Sequence, residues 1–197
     1  MPRISDERRA ERRETILEAA WTCFHRRGLH ATTMDDIIRQ SGLSAGAVYI
    51  YFAGKEELVT AAIAKSLAGL RQELGPLLTA SEPIAPEALL ESLLGCVVAF
   101  ARRADYNLLR IVLHGWSEVQ HNEPLRLLMQ PFYTQARQLI ATRLSQGRPK
   151  LTPAAAQDMA QLMLSMVLGF VVQNGLLGDA DPQAHARALH TLCALTD

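Results

Sequence analysis

Apolar residues recur at helical spacing along almost the whole chain. Ile16, Ala20 and Phe24 stand four apart, with Leu17 and Trp21 beside them, which predicts a first helix over Asp6 to Arg27 with one buried face. Gly28 ends it. Two short helices follow within 32–55. A fourth starts near Lys55 and carries Leu58, Ile63, Leu67 and Leu70, until Gly75-Pro76 weakens or ends it. Pro86 suits the start of a fifth, over Glu87 to Arg103, where Leu89, Leu90, Leu93, Leu94, Val97, Val98 and Phe100 surround the axis and predict burial on most sides. Tyr106 to Ser117 reads as a similar sixth helix. Asn122-Glu123-Pro124 opens a seventh, which Pro131 should kink or split and Gly147 with Pro149 should end. Thr152-Pro153 caps an eighth, running to about Leu177, and Asp181-Pro182 repeats the device for a ninth. No alternating run demands a strand, and no repeat appears. The expected fold class is all-α, with nine helices.

The stretch T-T-M-D-D-I-I-R-Q-S-G-L-S-A-G-A-V-Y-I-Y-F-A-G-K, Thr32 to Lys55, organises the rest. Thr33 can N-cap a short helix, with Asp36 three residues on as in a capping box. Ile37 and Ile38 give that helix a buried side. Gly42 follows its end, where a left-handed residue is needed. Ser44 can then cap a second short helix, from about Ala45 to Tyr51. Two short helices about a glycine turn predict a helix-turn-helix, whose second helix enters the DNA major groove.

These residues closely resemble the DNA-binding signature of the TetR/AcrR family of transcriptional regulators. Thr33, Gly42, Ser44, Gly46, Tyr49, Tyr51, Phe52, Lys55 and Leu58 carry the resemblance, with Ile16, Ala19, Ala20, Phe24 and Gly28 upstream. It covers roughly the first third of the chain; beyond about Ala64 only length and helical character agree. It implies a nine-helix TetR-like fold: a helix-turn-helix domain over 1–54, and a ligand-binding and dimerisation domain over 55–197. It implies backbone phosphate contacts at Thr33, Tyr49, Tyr51 and Lys55, with Val48 and Phe52 filling the core. Ser44 completes the helix start. Ala45, Gly46 and Ala47 are small enough for close approach to base edges, offering thymine-methyl contact but no bidentate code. Ile38 stands where a small residue often packs, and Met34 where some relatives have a polar base reader, so no base contact is assigned to Met34.

Composition changes this picture little. The 197 residues are 49% hydrophobic and 6% aromatic, with zero formal net charge, so global basicity does not announce nucleic acid. The charge is uneven: Arg3, Arg8, Arg9, Arg12 and Arg13 crowd the start against Asp6, Glu7 and Glu11, either as a solvated helix turn or as a basic arm on DNA. Cys23, Cys96 and Cys193 are sparse and odd in number, as expected of reduced thiols in a cytoplasm. The N-terminus lacks the apolar core of a signal peptide. The run Leu162 to Val172 falls short of the ~20 apolar residues of a membrane helix, so no membrane partner is expected.

Gly42-Leu43-Ser44-Ala45-Gly46 also matches G-x-S-x-G, the nucleophile elbow of hydrolases. That chemistry needs a strand before the serine, and none is predicted. His185 and His190 are five apart, not the four that share a helix face, so no metal site is expected. No phosphate loop or dinucleotide fingerprint suggests a cofactor, and no catalytic residue is assigned.

The remaining expectations concern assembly and ligand. Met159, Met163, Met166 and Phe170 spread widely around the eighth helix, and Leu189, Leu192 and Cys193 add a stripe on the ninth. Together they predict an isologous four-helix interface in a homodimer. Cys96, Phe100, Tyr106, His114, Trp116, Tyr133 and Asn174 dot an apolar interior, and the family resemblance puts an effector pocket there. An apolar or amphipathic small molecule fits that lining. Trp116 with Tyr133 keeps a quaternary amine open. The segment W-S-E-V-Q-H-N-E-P-L-R is similar to C-terminal domains of choline- and betaine-pathway repressors, though too short to name a ligand. The expected partners are thus a palindromic double-stranded DNA operator, a second copy and an unknown effector. The expected activity is a ligand-responsive regulator, most simply a repressor. A TetR-like adaptor that binds protein without DNA is the alternative, and a hydrolase using Ser44 a remote one.

Overall fold

A computed structural model of the chain describes residues 6–102, 116, 118–148 and 150–194. The described residues form eight α-helices and no strand: α1 Asp6–Ala31, α2 Met34–Ser41, α3 Ala45–Tyr51, α4 Lys55–Thr79, α5 Pro86–Ala101, α6 Glu123–Gly147, α7 Pro153–Leu176 and α8 Pro182–Ala194. The fold class is all-α, as the spacing predicts. The predicted sixth helix, 106–117, lies outside the described residues except for Trp116.

The chain divides into two compact units, with one boundary inside α4 and another inside α6. The described residues up to Ser66, with those from Trp116 to Leu125, form the first. Leu67 to Arg102, with the described residues from Arg126 onward, form the second.

In the first unit, Ile16, Leu17, Ala20, Trp21 and Phe24 of α1 are buried, as are Ile37 of α2, Val48 of α3, and Leu58, Ala62 and Ile63 of α4. Regular helix breaks at Gly28, whose φ of 79° and ψ of 166° suit a residue without Cβ. The Thr32 hydroxyl spans that break, reaching the carbonyls of Gly28 at 2.7 Å and Cys23 at 3.2 Å. From Asp6 onward the N-terminal charge run is helical and exposed, and Arg13 lies over the Phe52 ring at 5.0 Å. The arm reading is therefore left only with residues 1–5, which lie outside the described residues.

In the second unit, Leu74 and Leu78 of α4, Leu89, Leu90, Leu93 and Leu94 of α5, Ile140 and Leu144 of α6, and Ala160, Met163 and Phe170 of α7 form one core. At two prolines the ending or splitting that the sequence reading allowed does not occur. Neither Pro76 nor Pro131 ends its helix; α4 and α6 run unbroken through them, 25 residues each. A proline inside a helix costs about 3 kcal/mol. Burial on both sides, of Leu74 and Leu78 about Pro76 and of Met129 and Phe132 about Pro131, offsets it. Helix α5 is less enclosed than predicted, since Gly95 and Ala99 are exposed.

Arg143 is buried with no carboxylate partner among the described residues. Its guanidinium donates to the carbonyls of Ala80 and Glu82, both at 2.7 Å, and pins the loop between α4 and α5 onto α6. By length and composition α7 is apolar enough to cross a membrane, which the Leu162 to Val172 run understated. Its Ala156, Ala160, Met163, Phe170 and Val171 are buried within the chain. Its other side, with Leu162 at 58% exposure and Leu176 at 76%, is open.

Candidate nucleic-acid interface

The predicted capping chemistry is present. The Thr33 hydroxyl accepts from the Asp36 N–H at 3.2 Å, and the Asp36 carboxylate accepts from the Thr33 N–H at 3.1 Å and from its hydroxyl at 2.9 Å. Gly42 ends α2 in the left-handed region, at φ 68°. Ser44 Oγ accepts from the Ala47 N–H at 3.3 Å and starts α3. A helix, not a strand, precedes Ser44, and its hydroxyl caps the next one.

The seven residues of α3 sort cleanly by side. Val48 is fully buried, and Phe52 just beyond the helix is 1% exposed. Ala45, Gly46, Tyr49 and Ile50 are exposed; Ala47 and Tyr51 are half-buried. Tyr49 is 49% exposed and Ile50 74%, with nothing within 4 Å of a Cβ placed at Gly46. A helix turns ~100° per residue, so Gly46 and Ile50, four apart, lie on the side opposite Val48.

Two assigned donors are already engaged, Thr33 in the predicted capping box and Lys55 in a way the sequence did not indicate. The Thr33 N–H and hydroxyl both serve Asp36, leaving Met34 and Asp35 to supply the first N–H groups of α2. The Lys55 ammonium donates to the carbonyls of His30 at 3.0 Å and Thr32 at 2.9 Å, so it fastens the end of α1 to the start of α4. An ammonium has three protons, so one is left to face outward.

Sequence reasoning missed a charged network beside α2. Arg27 Nη1 meets Asp36 Oδ1 at 2.7 Å and Arg39 Nη2 meets the same oxygen at 3.2 Å. A depression of about 260 Å³ lies there, lined by Cys23, Arg26, Arg27, Asp36, Arg39 and Gln40. The Thr33 N–H and hydroxyl, then Arg27, hold the Asp36 carboxyl below the usual carboxylate range. Burial, and then the Asp36 charge, push the Cys23 thiol up, so it is a neutral wall at neutral pH. The adjacent Arg26-Arg27 pair was the available signal; its partner nine residues away from Arg27 was not.

The effector candidates divide. Tyr106 and His114 lie outside the described residues. Trp116 belongs to the first unit, whereas Cys96, Phe100, Tyr133 and Asn174 belong to the second. Phe100 is 8% exposed, and a Cβ built at Gly69 of α4 would stand 2.9 Å from its Cε2. Tyr133 meets Phe132 edge-on at 5.2 Å. Burial, and then Glu73 of α4, push the Cys96 thiol up.

The dimer candidates need a correction. Phe170 is fully buried within its own chain, edge-on to His185 at 5.2 Å, and Met163 is 2% exposed. Both are core residues and have no surface to offer a second copy. Met159, Met166 and Leu189 are half-buried, and Leu192 is 63% exposed. The Cys193 side chain lies outside the described residues.

Residues 16–62, the helix-turn-helix with its flanks, match the family model of bacterial regulatory proteins of the tetR family, and residues 86–195 match that of the BetI-type transcriptional repressor C-terminal domain. The chain belongs to the tetR family. It is 43% identical over 72 residues to the HTH-type transcriptional regulator YfiR of Bacillus subtilis (strain 168), a match covering 36% of this chain and 35% of that regulator. With BetI 2 of Chromohalobacter salexigens it shares 27% identity over 195 residues, 97% of this chain and 90% of the other. A transcriptional regulator from Saccharomonospora viridis, solved in complex with choline, superposes with a TM-score of 0.75 at 20% identity, covering 92% of this chain and 95% of that one. At that identity the likeness is one of fold. The two matches do not coincide with the two compact units: the described residues from Trp116 to Leu125, inside the second match, belong to the first unit.

Proposed function

We propose that the protein is a homodimeric, ligand-responsive DNA-binding regulator: a repressor that leaves a palindromic double-stranded operator when a small effector binds. The observation that carries this reading is α3, held by Val48 on one side and exposed on the other, within a tetR-family head. Residues 1–54 are the proposed DNA-binding domain and 55–197 the effector and dimerisation domain, joined through α4. Two copies present two such helices, and half-sites one turn apart, ~34–36 Å, accept them. The open sides of α7 and α8, with Leu162, Met159, Met166, Leu189 and Leu192, supply the proposed isologous contact. A protein that reads operators works in the cytoplasm, among reduced thiols. Nothing at the site favours an adaptor or a hydrolase: Tyr49 and Tyr51 flank an open helix face, and Ser44 is a cap.

For the effector, Cys96, Phe100, Tyr133 and Asn174 offer aromatic and neutral polar groups on an aliphatic body, which suits an apolar or amphipathic molecule. The BetI-type match and the choline-bound relative support a quaternary amine as the first effector to try, with the Tyr133 ring as its cation–π partner.

The test is footprinting on the DNA flanking the gene. An inverted repeat should be protected, and choline or a related amine should release it. Tyr49→Phe and Lys55→Ala should weaken binding to every operator alike, because phosphate contacts carry little sequence information. Lys55→Ala should also lower the salt slope by about one charge. Lys55 anchors two carbonyls as well, so its denaturation midpoint must be measured alongside. If no segment is protected, or both variants bind as tightly as the parent, the proposal fails.

A further inference from the structure

A recognition helix normally reads sequence with side chains that can donate and accept hydrogen bonds: arginine or lysine to guanine, asparagine or glutamine to adenine. Helix α3 has none. Its seven residues are Ala45, Gly46, Ala47, Val48, Tyr49, Ile50 and Tyr51. The tyrosine hydroxyls are its only polar side-chain atoms. On the side opposite buried Val48 stand Gly46, open to space, and Ile50, 74% exposed. A branched aliphatic side chain that exposed is unfavourable in water. It stands four residues after a glycine that has no side chain to hold an approaching surface away. Beside it, Arg39 of α2 and Arg27 of α1 are both drawn to Asp36, which leaves Gln40 as the exposed amide of α2.

The only apolar group that the major groove presents is the thymine C5-methyl. We infer that Ile50 is the specificity-determining residue of this protein. It packs on thymine methyls of the half-site, so that the operator is read by methyl contact and not by a hydrogen-bond code. This rests on the DNA-binding reading above. It adds the chemistry that selects the operator, which neither the tetR-type match nor the phosphate contacts specify. Gly46 lets the helix sink far enough for the contact, and Tyr49 and Tyr51 flank it with hydroxyls for the sugar-phosphate backbone.

The test uses the full-length homodimer and a randomised duplex library. Selection should enrich a palindrome with thymine at one or more fixed positions in each half-site. Each such thymine is then replaced by uracil, which removes the methyl group and leaves base pairing and every hydrogen-bonding atom in place. At the contacted positions the affinity should fall about fourfold per buried methyl. Replacing the same T·A pair by 5-methylcytosine·G, which restores the methyl on a different pair, should recover part of the loss. Ile50→Ala should bind the thymine and uracil duplexes equally, whereas Ile50→Val should keep the discrimination; the cycle between protein and DNA changes isolates the contact. Both variants should fold as the parent does, the site being exposed.

Failure of the underlying reading looks different from failure of this one. If the library yields no enriched sequence, the protein is not a sequence-specific DNA binder, and this inference falls with that reading. If a palindrome is enriched but uracil substitution changes nothing, or Ile50→Ala keeps full discrimination, the DNA-binding reading stands and the methyl readout by Ile50 is overturned.

Discussion

Asp36 ties together three residues of the head. It closes the capping box on Thr33, and it holds Arg27 and Arg39. Its carboxyl is held below its ordinary value first by the Thr33 N–H. A carboxyl with a depressed folded pKa contributes stability that is present above the unfolded value and is lost as pH falls through the folded one. Acidification through and below about pH 4 should therefore lower the denaturation midpoint of the parent. Asp36→Asn, which does not titrate, should be less stable than the parent at pH 7 and should lose less of its midpoint between pH 6 and 3. If the two midpoints fall in parallel, Asp36 is not the titrating group. The features legible in the sequence at this scale were local ones. Thr33 and Asp36 are three residues apart, as are Ser44 and Ala47, Gly42 stands at a helix end, and Gly28 breaks the regular helix inside α1. Lys55 was legible only as a surface cation. Its partners His30 and Thr32 lie 25 and 23 residues away, and no spacing rule reaches them.

Among the elements, α7 separates what periodicity can say from what it cannot. Its apolar residues spread around the axis, and the sequence reading took the surplus for a contact with a second copy. The surplus exists, but two of the positions named for it were misjudged. Phe170 and Met163 point into the chain's own core, while Leu162 and Leu176 face out. An apolar helix with little amphipathic bias does not say which of its sides the rest of the chain will claim; tertiary packing decides. The same holds for Pro76 and Pro131, where local rules predict a break and distributed burial keeps the helix. The structure replaces one obvious variant by a pair. Leu162→Glu, at an exposed position, should stay within about 0.5 kcal/mol of parent stability and should sediment as a monomer. Phe170→Glu should lose at least about 3 kcal/mol by emptying and charging a filled core site. A Leu162→Glu protein that remains dimeric in sedimentation would move the interface off this side of α7.

At the scale of the molecule, α4 runs from the first unit into the second, as the start of α6 also does. Leu58, Ala62 and Ile63 are buried in the first, and Leu67, Leu74 and Leu78 in the second. An effector bound in the body, as proposed, can act on DNA only if it binds the DNA-competent and released states with different affinity, and α4 is one described element along which a strain in the body can reach the head. The helix carries an internal control for this. At Gly69 an added Cβ would stand 2.9 Å from Cε2 and 3.1 Å from Cζ of Phe100, a ring already 8% exposed and among the effector candidates. At Gly75, on the same helix, an added Cβ meets nothing within 4 Å. Both glycines have ordinary helical neighbours, so alanine at either gains about 1 kcal/mol of helix propensity. At Gly69 the displaced Phe100 ring should more than cancel that gain, since overpacking costs about 1–3 kcal/mol. Gly75→Ala should thus melt higher than the parent and bind the operator as the parent does. Gly69→Ala should melt lower and, if strain at Phe100 travels along α4, should weaken operator binding without a single change in the head. The comparison is made by thermal melting and by titration of the footprinted operator, with both variants at protein concentrations where they are dimeric. If Gly69→Ala melts lower yet binds the operator with parental affinity, strain at Phe100 does not travel along α4, and the route from body to head lies elsewhere.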